Sequence, residues 1–306
     1  MCQTGSREGV RGEPIPLRGH PTMGHDVVLA GSPVLGEHEV HVWRARLDVS
    51  EPELERRTTW LSPEERGRAS RFRYPIDRRR YVANRSALRE ILGAYLGLEA
   101  RQVGLDRDRH GKPRLAGEAV GGWQFSVSHS GGIGLMAVRR GMQVGVDVEQ
   151  VIPGFDWREV AALALSEREV RALGALPADQ QWNAFFAIWT RKEALAKAVG
   201  LGLRARLAFL EVPTDPGCVG WSRRSVETPG GQVDCGLVDL SLGLGFRGAL
   251  ALVGKGADVV GFEWVAAGRS PAEGMLMPNL LDISAQPDAQ RAPFVDGDGH
   301  RTGVVG

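Results

Sequence analysis

The stretch Gly145-Val146-Asp147-Val148-Glu149 decides how the rest of the chain is read. In a strand, alternate side chains share a face, so Asp147 and Glu149 look one way while Val146 and Val148 look into a core. Two like charges on one face repel unless a cation neutralises them, and hard oxygen donors suit Mg²⁺. A solvated strand face would carry the same pattern, so the pair alone leaves both readings open. Just upstream, Phe125-Ser126-Val127-Ser128-His129-Ser130 and Ile133-Gly134-Leu135-Met136-Ala137-Val138 flank Gly131-Gly132, which is a hairpin signal.

Downstream, a helix is expected over about 180–199. On it Trp182, Phe186, Trp189, Glu193 and Lys197 share one stripe. An unpaired buried charge is costly, so Glu193 and Lys197 need partners. Either they pair with each other at the exposed end of the helix, or the stripe runs from the core into a cleft. Gly200-Leu201-Gly202-Leu203 ends the helix and has the spacing of neither a P-loop nor a dinucleotide fingerprint.

Further out, residues 38–48 alternate as a strand, and Ser62-Pro63-Glu64-Glu65 opens a helix. A helix over about 77–96 carries Tyr81, Leu88, Leu92 and Tyr95 on one stripe. Beyond the central strand, helices are expected at 157–174 and 180–199, with strands near 206–212, 218–226, 235–240, 247–253 and 258–265. Helix and strand groups thus occur twice, which predicts an α+β molecule of two α/β lobes, 37–150 and 151–267. Residues 1–36 and 268–306 are rich in Gly, Pro and charge and read as disordered tails.

Composition bounds the function. The 306 residues are 42% hydrophobic and 25% charged, with a net charge of +1, so no global field draws the protein to nucleic acid or membrane. Cys2, Cys218 and Cys235 build neither a disulfide framework nor a paired metal motif, which favours a reducing cytoplasm. No secretion signal or bilayer-length apolar run is apparent. The remaining polar motifs have ordinary readings. Glu169 in Ser166-Glu167-Arg168-Glu169 has capping-box spacing, and Lys112 in Gly111-Lys112-Pro113 reads as a solvated turn residue. His129 reads as a structural hydrogen bonder, since no second His or Cys at metal-ligand spacing accompanies it. Ser126, Ser128 and Ser130 lack a nucleophile-elbow context.

Taken in order, an Arg-rich pair of helix starts, GKP (111–113), FSVSHSGG (125–132), GVDVE (145–149), SEREV (166–170) and FFAIWTRKEALAKAVGLGL (185–203) resemble the Sfp-type 4′-phosphopantetheinyl transferases over residues 60–212. The resemblance implies two similar lobes related by a pseudo-twofold, a monomer built as a pseudo-dimer, with coenzyme A bound between them. It implies transfer of phosphopantetheine from coenzyme A to a serine of an apo acyl, peptidyl or aryl carrier protein, with Mg²⁺ or Mn²⁺ as cofactor. Residue by residue, Asp147, Glu149 and Glu193 match the acidic metal positions. Glu169 matches a further glutamate assigned to metal binding or to activating the serine hydroxyl. Lys197 matches a lysine on the pyrophosphate, with a catalytic role, and Lys192 is its neighbour in the motif. Gly111, Lys112 and Pro113 match the loop against adenine and ribose. Ser128, His129, Arg68 and Arg80 match positions near the 3′-phosphate, with Arg79 as an alternative register for Arg80. Glu65 departs from the pattern, standing at a basic position, and its replacement is expected to do little. The rival readings are a non-catalytic coenzyme A or carrier-binding module and a metal-dependent phosphohydrolase. Intact acidic positions speak against the first, and the combination of GKP, SHS and the lysine-bearing helix against the second.

Overall fold

The computed structural model describes residues 33–108, 111–117, 121–202, 207–215, 220–243 and 245–264, and the backbone of 275–276. The two expected tails fall almost wholly outside these residues. Three sheets are present among the described residues. The first runs in the order β11 (Met275–Leu276), β10 (Asp258–Trp264), β1 (Glu39–Arg46), β5 (Ile133–Arg140), β4 (Trp123–Ser130). The second runs β6 (Val144–Gln150), β9 (Phe246–Val253), β8 (Gly231–Leu240), β7 (Ser222–Thr228). A short ribbon pairs β2 (Leu105–Arg107) with β3 (Pro113–Leu115). All ladders are antiparallel except β1 with β10.

The valines that alternate with Asp147 and Glu149 do enter a core. Val144, Val146 and Val148 pack with Leu250 and Leu252 of their own sheet and with Val40, Val42, Leu135 and Ala137 of the other. The outer face of each sheet is covered by a long helix. Helix α3 (Pro75–Leu96) lays Ala87, Leu88, Ile91 and Leu92 on Trp43, Met136 and Val138, while α6 (Ala178–Val199) lays Phe185, Ile188 and Leu195 on Leu237, Ala249 and Ala251. The layers are therefore helix, sheet, sheet, helix.

The two halves repeat one design, although no repeat is visible in the sequence. Both long helices have 22 residues and stop at a left-handed glycine, Gly97 (φ 66°) and Gly200 (φ 72°). Each is preceded by a short helix with a full capping box. In α2 (Pro63–Ala69), Ser62 and Glu65 close it; in α5 (Glu167–Gly174), Ser166 and Glu169 do. Each capping glutamate also takes a buried cation from the long helix. Glu65 accepts from Arg89 (2.8 Å) and Arg85 (2.7 Å), and Glu169 accepts from Lys192 (2.5 Å). Arg89 stands eight residues before Gly97, as Lys192 stands eight before Gly200.

Some expectations change. The boundary at residue 150 does not divide the sheets, because β10 returns from the second half to pair with β1 of the first. It does so because Phe262 stacks on Trp43 (centroids 4.4 Å) and Trp264 covers the Arg57 guanidinium (4.1 Å), an apolar surface the first half leaves open. The single helix expected over 157–174 is two, α4 (Arg158–Ala164) and α5, broken where Ser166 takes extended backbone as an N-cap. The strand expected near 206–212 is a 3₁₀ turn, Leu207–Phe209, followed by irregular chain. Helix α1 (Glu51–Thr58) is an addition to the expected elements, though Ser50, Glu51 and Pro52 are ordinary helix-start signals. Glu65 is not peripheral: it is 7% exposed and holds two arginines.

Gly145 sets the distance between β6 and α6. A Cβ there would overlap the Ala194 carbonyl oxygen and the Ala198 amide nitrogen, both backbone atoms that cannot swing aside. Gly145→Ala is therefore expected to cost about 1–3 kcal/mol by overpacking. A denaturant midpoint equal to that of the unmodified protein would refute this.

Candidate active site

β4 and β6 are edge strands of different sheets that lie side by side, and no backbone ladder joins them. Serines replace it. Ser126, Ser128 and Ser130 share one face of β4 by the two-residue period of a strand. Ser126 Oγ accepts the Val146 amide (3.0 Å) and Ser130 Oγ accepts the Gln150 amide (3.0 Å). Ser128 Oγ donates to Asp147 Oδ1 (2.7 Å), and Ser130 Oγ donates to Glu149 Oε2 (2.7 Å). The serine motif is a seam that presents two carboxylates at the junction of the sheets. The sequence gives these serines no nucleophile-elbow context and does not reveal this role, although their period is visible in it.

The close packing permitted by Gly145 brings α6 onto this seam. Lys197 Nζ donates to Asp147 Oδ1 (2.6 Å), Ser128 Oγ (3.0 Å) and the Val146 carbonyl (3.3 Å). Of the expected stripe, Trp182, Trp189, Glu193 and Lys197 lie half-buried, while the deepest face of α6 is Phe185, Ile188, Lys192 and Leu195. The stripe thus runs along the margin of the core and leads its two charged members out to the carboxylates.

Burial and charge together account for the titration of the group. Burial, and then the neighbouring Asp147 charge, pushes Glu149 up to about 7, against the pull of Ser130 and Lys197. Burial also raises Glu193; Lys197 opposes the shift and Asp147 adds to it. Burial draws Lys197 down, but Asp147 and then Glu193 outweigh it and the ammonium is held above its ordinary range. Asp147 Oδ2 is buried with no hydrogen-bond partner. An orphaned oxygen among mutually repelling hard donors is the chemistry a divalent cation satisfies, so these residues fit one. Among the described residues, however, no three His, Cys, Asp or Glu side chains are gathered as a ready-made metal cluster. The Lys197 ammonium supplies the positive charge in this arrangement.

The other candidates divide into two sets. His129, at the exposed edge of the seam, has its pKa lowered to about 4 by the crowding of protein atoms, then by the charges of Lys197, Arg68 and Arg80, with Asp77 opposing. Arg79 is tied to Glu51 and to the Val49 carbonyl (2.9 Å), and Arg80 pairs with Asp48 (3.4 Å); of the two, Arg80 is the one among the charges acting on His129. The Gly111-Lys112-Pro113 turn comes from the β2–β3 ribbon. Lys112 Nζ donates to the Lys197 carbonyl (2.8 Å), the Val144 carbonyl (3.1 Å) and Gln143 Oε1 (3.3 Å). Rather than a solvated turn residue, it ties the turn to the C-terminal end of α6. Burial, with Lys197 adding and Asp108 opposing, lowers its pKa to about 8. Clefts of about 530 and 390 Å³ open on either side of this turn. Glu169 and Lys192 form the second set. Lys192 Nζ bonds Glu169 Oε2 and the carbonyls of Ala164 (2.8 Å) and Leu207 (2.9 Å), and Glu169 also accepts from Ser166 and Val212. Both side chains are closed inside the second half, 0% and 2% exposed, and neither contributes to the titration of Asp147's neighbours.

His129 yields a direct check. A depressed histidine pKa means the folded state disfavours the imidazolium, so its contribution to stability is lost as pH falls from 6.5 towards 4. The His129 ring resonance in the ligand-free protein is expected to titrate near pH 4, and a midpoint near 6.5 would contradict the crowding described above.

Residues 143–236 match the family model of the 4′-phosphopantetheinyl transferase superfamily, and residues 45–140 match that of the N-terminal part of 4′-phosphopantetheinyl transferase. The 4′-phosphopantetheinyl transferase HetI of Nostoc sp. is 42% identical over 182 residues, which cover 58% of this chain and 76% of that protein. The 4′-phosphopantetheinyl transferase psf-1 of Bacillus pumilus is 31% identical over 156 residues, 49% of this chain and 63% of that protein. A 4′-phosphopantetheinyl transferase of Bacillus subtilis is 29% identical over 188 residues, 61% and 80% of the two chains. With both halves matched and a relative this similar over most of its own length, the chain belongs to the 4′-phosphopantetheinyl transferase superfamily.

Proposed function

We infer that the protein transfers the 4′-phosphopantetheine group of coenzyme A to a serine hydroxyl of an apo acyl, peptidyl or aryl carrier protein, releasing adenosine 3′,5′-bisphosphate. The observation that carries this reading is the junction of Asp147, Ser128 and Lys197, with Glu149 and Glu193 beside it and the Lys112 turn bonded to the same end of α6. Anionic pyrophosphate suits a site that already gathers Lys197, Arg68, Arg80 and Lys112. In the reaction the serine oxygen bonds to the β-phosphorus, the bond from that phosphorus to the bridging oxygen breaks, and the adenosine bisphosphate leaves with that oxygen. Lys197 stabilises the charge that develops, and the adenosine turn fixes the donor in line.

Asp147, Glu149 and Glu193 would hold Mg²⁺ or Mn²⁺, which neutralises the diphosphate and polarises its phosphorus. Glu169, expected as proton acceptor or metal ligand, has both oxygens engaged within the fold. We therefore place it and Lys192 behind the site, holding α6, and assign the serine proton to water. We further place the protein in the cytoplasm as a monomer, in keeping with its free, buried Cys235; among the described residues no helix is long and apolar enough to cross a membrane.

The test is incubation with coenzyme A, Mg²⁺ and a panel of apo carriers, read by intact mass. One phosphopantetheine per carrier is expected. No gain on acyl, peptidyl or aryl carriers would overturn the reading, and consumption of coenzyme A without a carrier would favour a phosphohydrolase.

A further inference from the structure

His41 and Tyr95 are buried, 3% and 8% exposed, and take no part in the site described above. They join β1 to the last turn of α3 through a chain of polar side chains. Tyr95 Oη lies 2.6 Å from His41 Nδ1 and 2.9 Å from Trp43 Nε1. The other ring nitrogen, His41 Nε2, lies 3.3 Å from Glu39 Oε2, which also accepts the Gly36 amide (2.9 Å).

Counting hydrogens fixes the state of the imidazole. Trp43 has only an N–H to give, so Tyr95 Oη accepts from it. The single phenol hydrogen then goes to His41 Nδ1, because the hydroxyl has no further hydrogen-bond partner among the described residues. Nδ1 is thereby the acceptor, and the ring is neutral with its hydrogen on Nε2, donated to Glu39. A second proton on the ring would land on Nδ1 and turn it into a donor. Two N–H groups would then face one phenol oxygen, whose own hydrogen is left without an acceptor in the interior.

The surroundings reinforce this bias. Opposite His41, β5 presents Val138 and β10 presents Val260, and the Phe262 ring stands 4.9 Å away. Tyr95 and Glu39 are thus the titratable groups that face the imidazole among the described residues. Burial draws the His41 pKa down and outweighs Glu39, whose side chain is 36% exposed; burial also raises Tyr95, so the phenol keeps its hydrogen. The chain reaches further through rings. Tyr95 packs on Trp123 (centroids 5.1 Å), the first residue of β4, and Trp43 stacks on Phe262 of β10.

We propose that His41, Tyr95 and Trp43 form an acid-sensitive latch, which ties α3 to β1 while the imidazole is neutral and is broken when the ring takes up a proton. The sign follows from the depressed histidine: the stability it contributes is present above 6.5 and is lost as pH falls below it. Release would loosen the end of α3 and the start of β4, the strand that carries the serine seam.

The experiment uses the full chain and needs no substrate. Nitrogen-15 spectra of the ring should show the Nε2–H tautomer at neutral pH and a midpoint below 6.5. The Trp43 indole N–H signal should shift with the same midpoint. Stability is then compared with that of His41→Gln, whose side-chain oxygen can accept from Tyr95 and whose amide can donate to Glu39 at any pH. Between about pH 8 and about pH 5 the folding equilibrium of the unmodified protein should fall roughly tenfold more than that of His41→Gln, the size of one buried hydroxyl left unpaired. Other titrating groups cancel in that comparison. An Nδ1–H tautomer, a midpoint at or above 6.5, a Trp43 signal indifferent to the His41 proton, or equal acid losses in the two proteins would each overturn the latch. If His41→Gln does not fold, the spectra of the unmodified protein still decide.

Discussion

Asp147→Asn is expected to slow phosphopantetheine transfer by about a hundred- to a thousandfold, the range for removing one preorganised charge at a reacting centre. The side chain is 4% exposed, so its charge is felt at low dielectric, and it holds Lys197 Nζ at 2.6 Å. An asparagine keeps the size and can still accept from Ser128, so the seam between β4 and β6 survives. What disappears is the charge that orients Lys197 and keeps its ammonium above the ordinary range. The adenosine side of the site, with Lys112 and its three bonds to the protein, is untouched. The loss should therefore fall on kcat, with KM for coenzyme A changed by no more than about threefold. Steady-state kinetics with a saturating carrier checks this. A variant that keeps its kcat would show that chemistry does not occur at the junction, and a rise in KM alone would move Asp147 into donor binding.

The second large effect concerns stability. Glu169→Ala is expected to cost about 3–5 kcal/mol, because it strands the Lys192 ammonium with only carbonyl partners in an interior where it is 0% exposed. Burial already draws the Lys192 pKa down, and Glu169 is the first of the groups that resist it. The two halves of the molecule make the case independently. The first half uses the same device, a capping-box glutamate on a long-helix cation, in Glu65 and Arg89, where no metal position is expected. A feature repeated there is best explained by architecture. Urea denaturation of Glu169→Ala, Lys192→Met and the double variant Glu169→Leu/Lys192→Met separates the roles. The single changes should destabilise strongly and the double change should recover most of the loss. Recovered stability with recovered transfer would mark the pair as positioning α6. Recovered stability without transfer would return Glu169 to the chemistry.

Much of the site is legible in the amino-acid sequence. The two-residue period of β6 places Asp147 and Glu149 on one face, and the helical period of α6 aligns Glu193 with Lys197, because both follow from local backbone geometry. The capping boxes at Ser62 and Ser166 are equally local, since donor and acceptor lie three residues apart. Contacts between residues distant in the chain settle the rest. They take β10 to the first sheet, because the open surface at Trp43 lies some two hundred residues away. They turn the Lys112 ammonium into α6 and close Lys192 on Glu169, since which acceptor meets a lysine depends on how elements pack. Local periodicity dictates which faces of this chain carry charge, because a strand or helix repeats at a fixed angle. Which of those charges meet a partner inside the protein, and which are left for a ligand, is set by packing, because ion pairs form across elements that only the folded chain brings together.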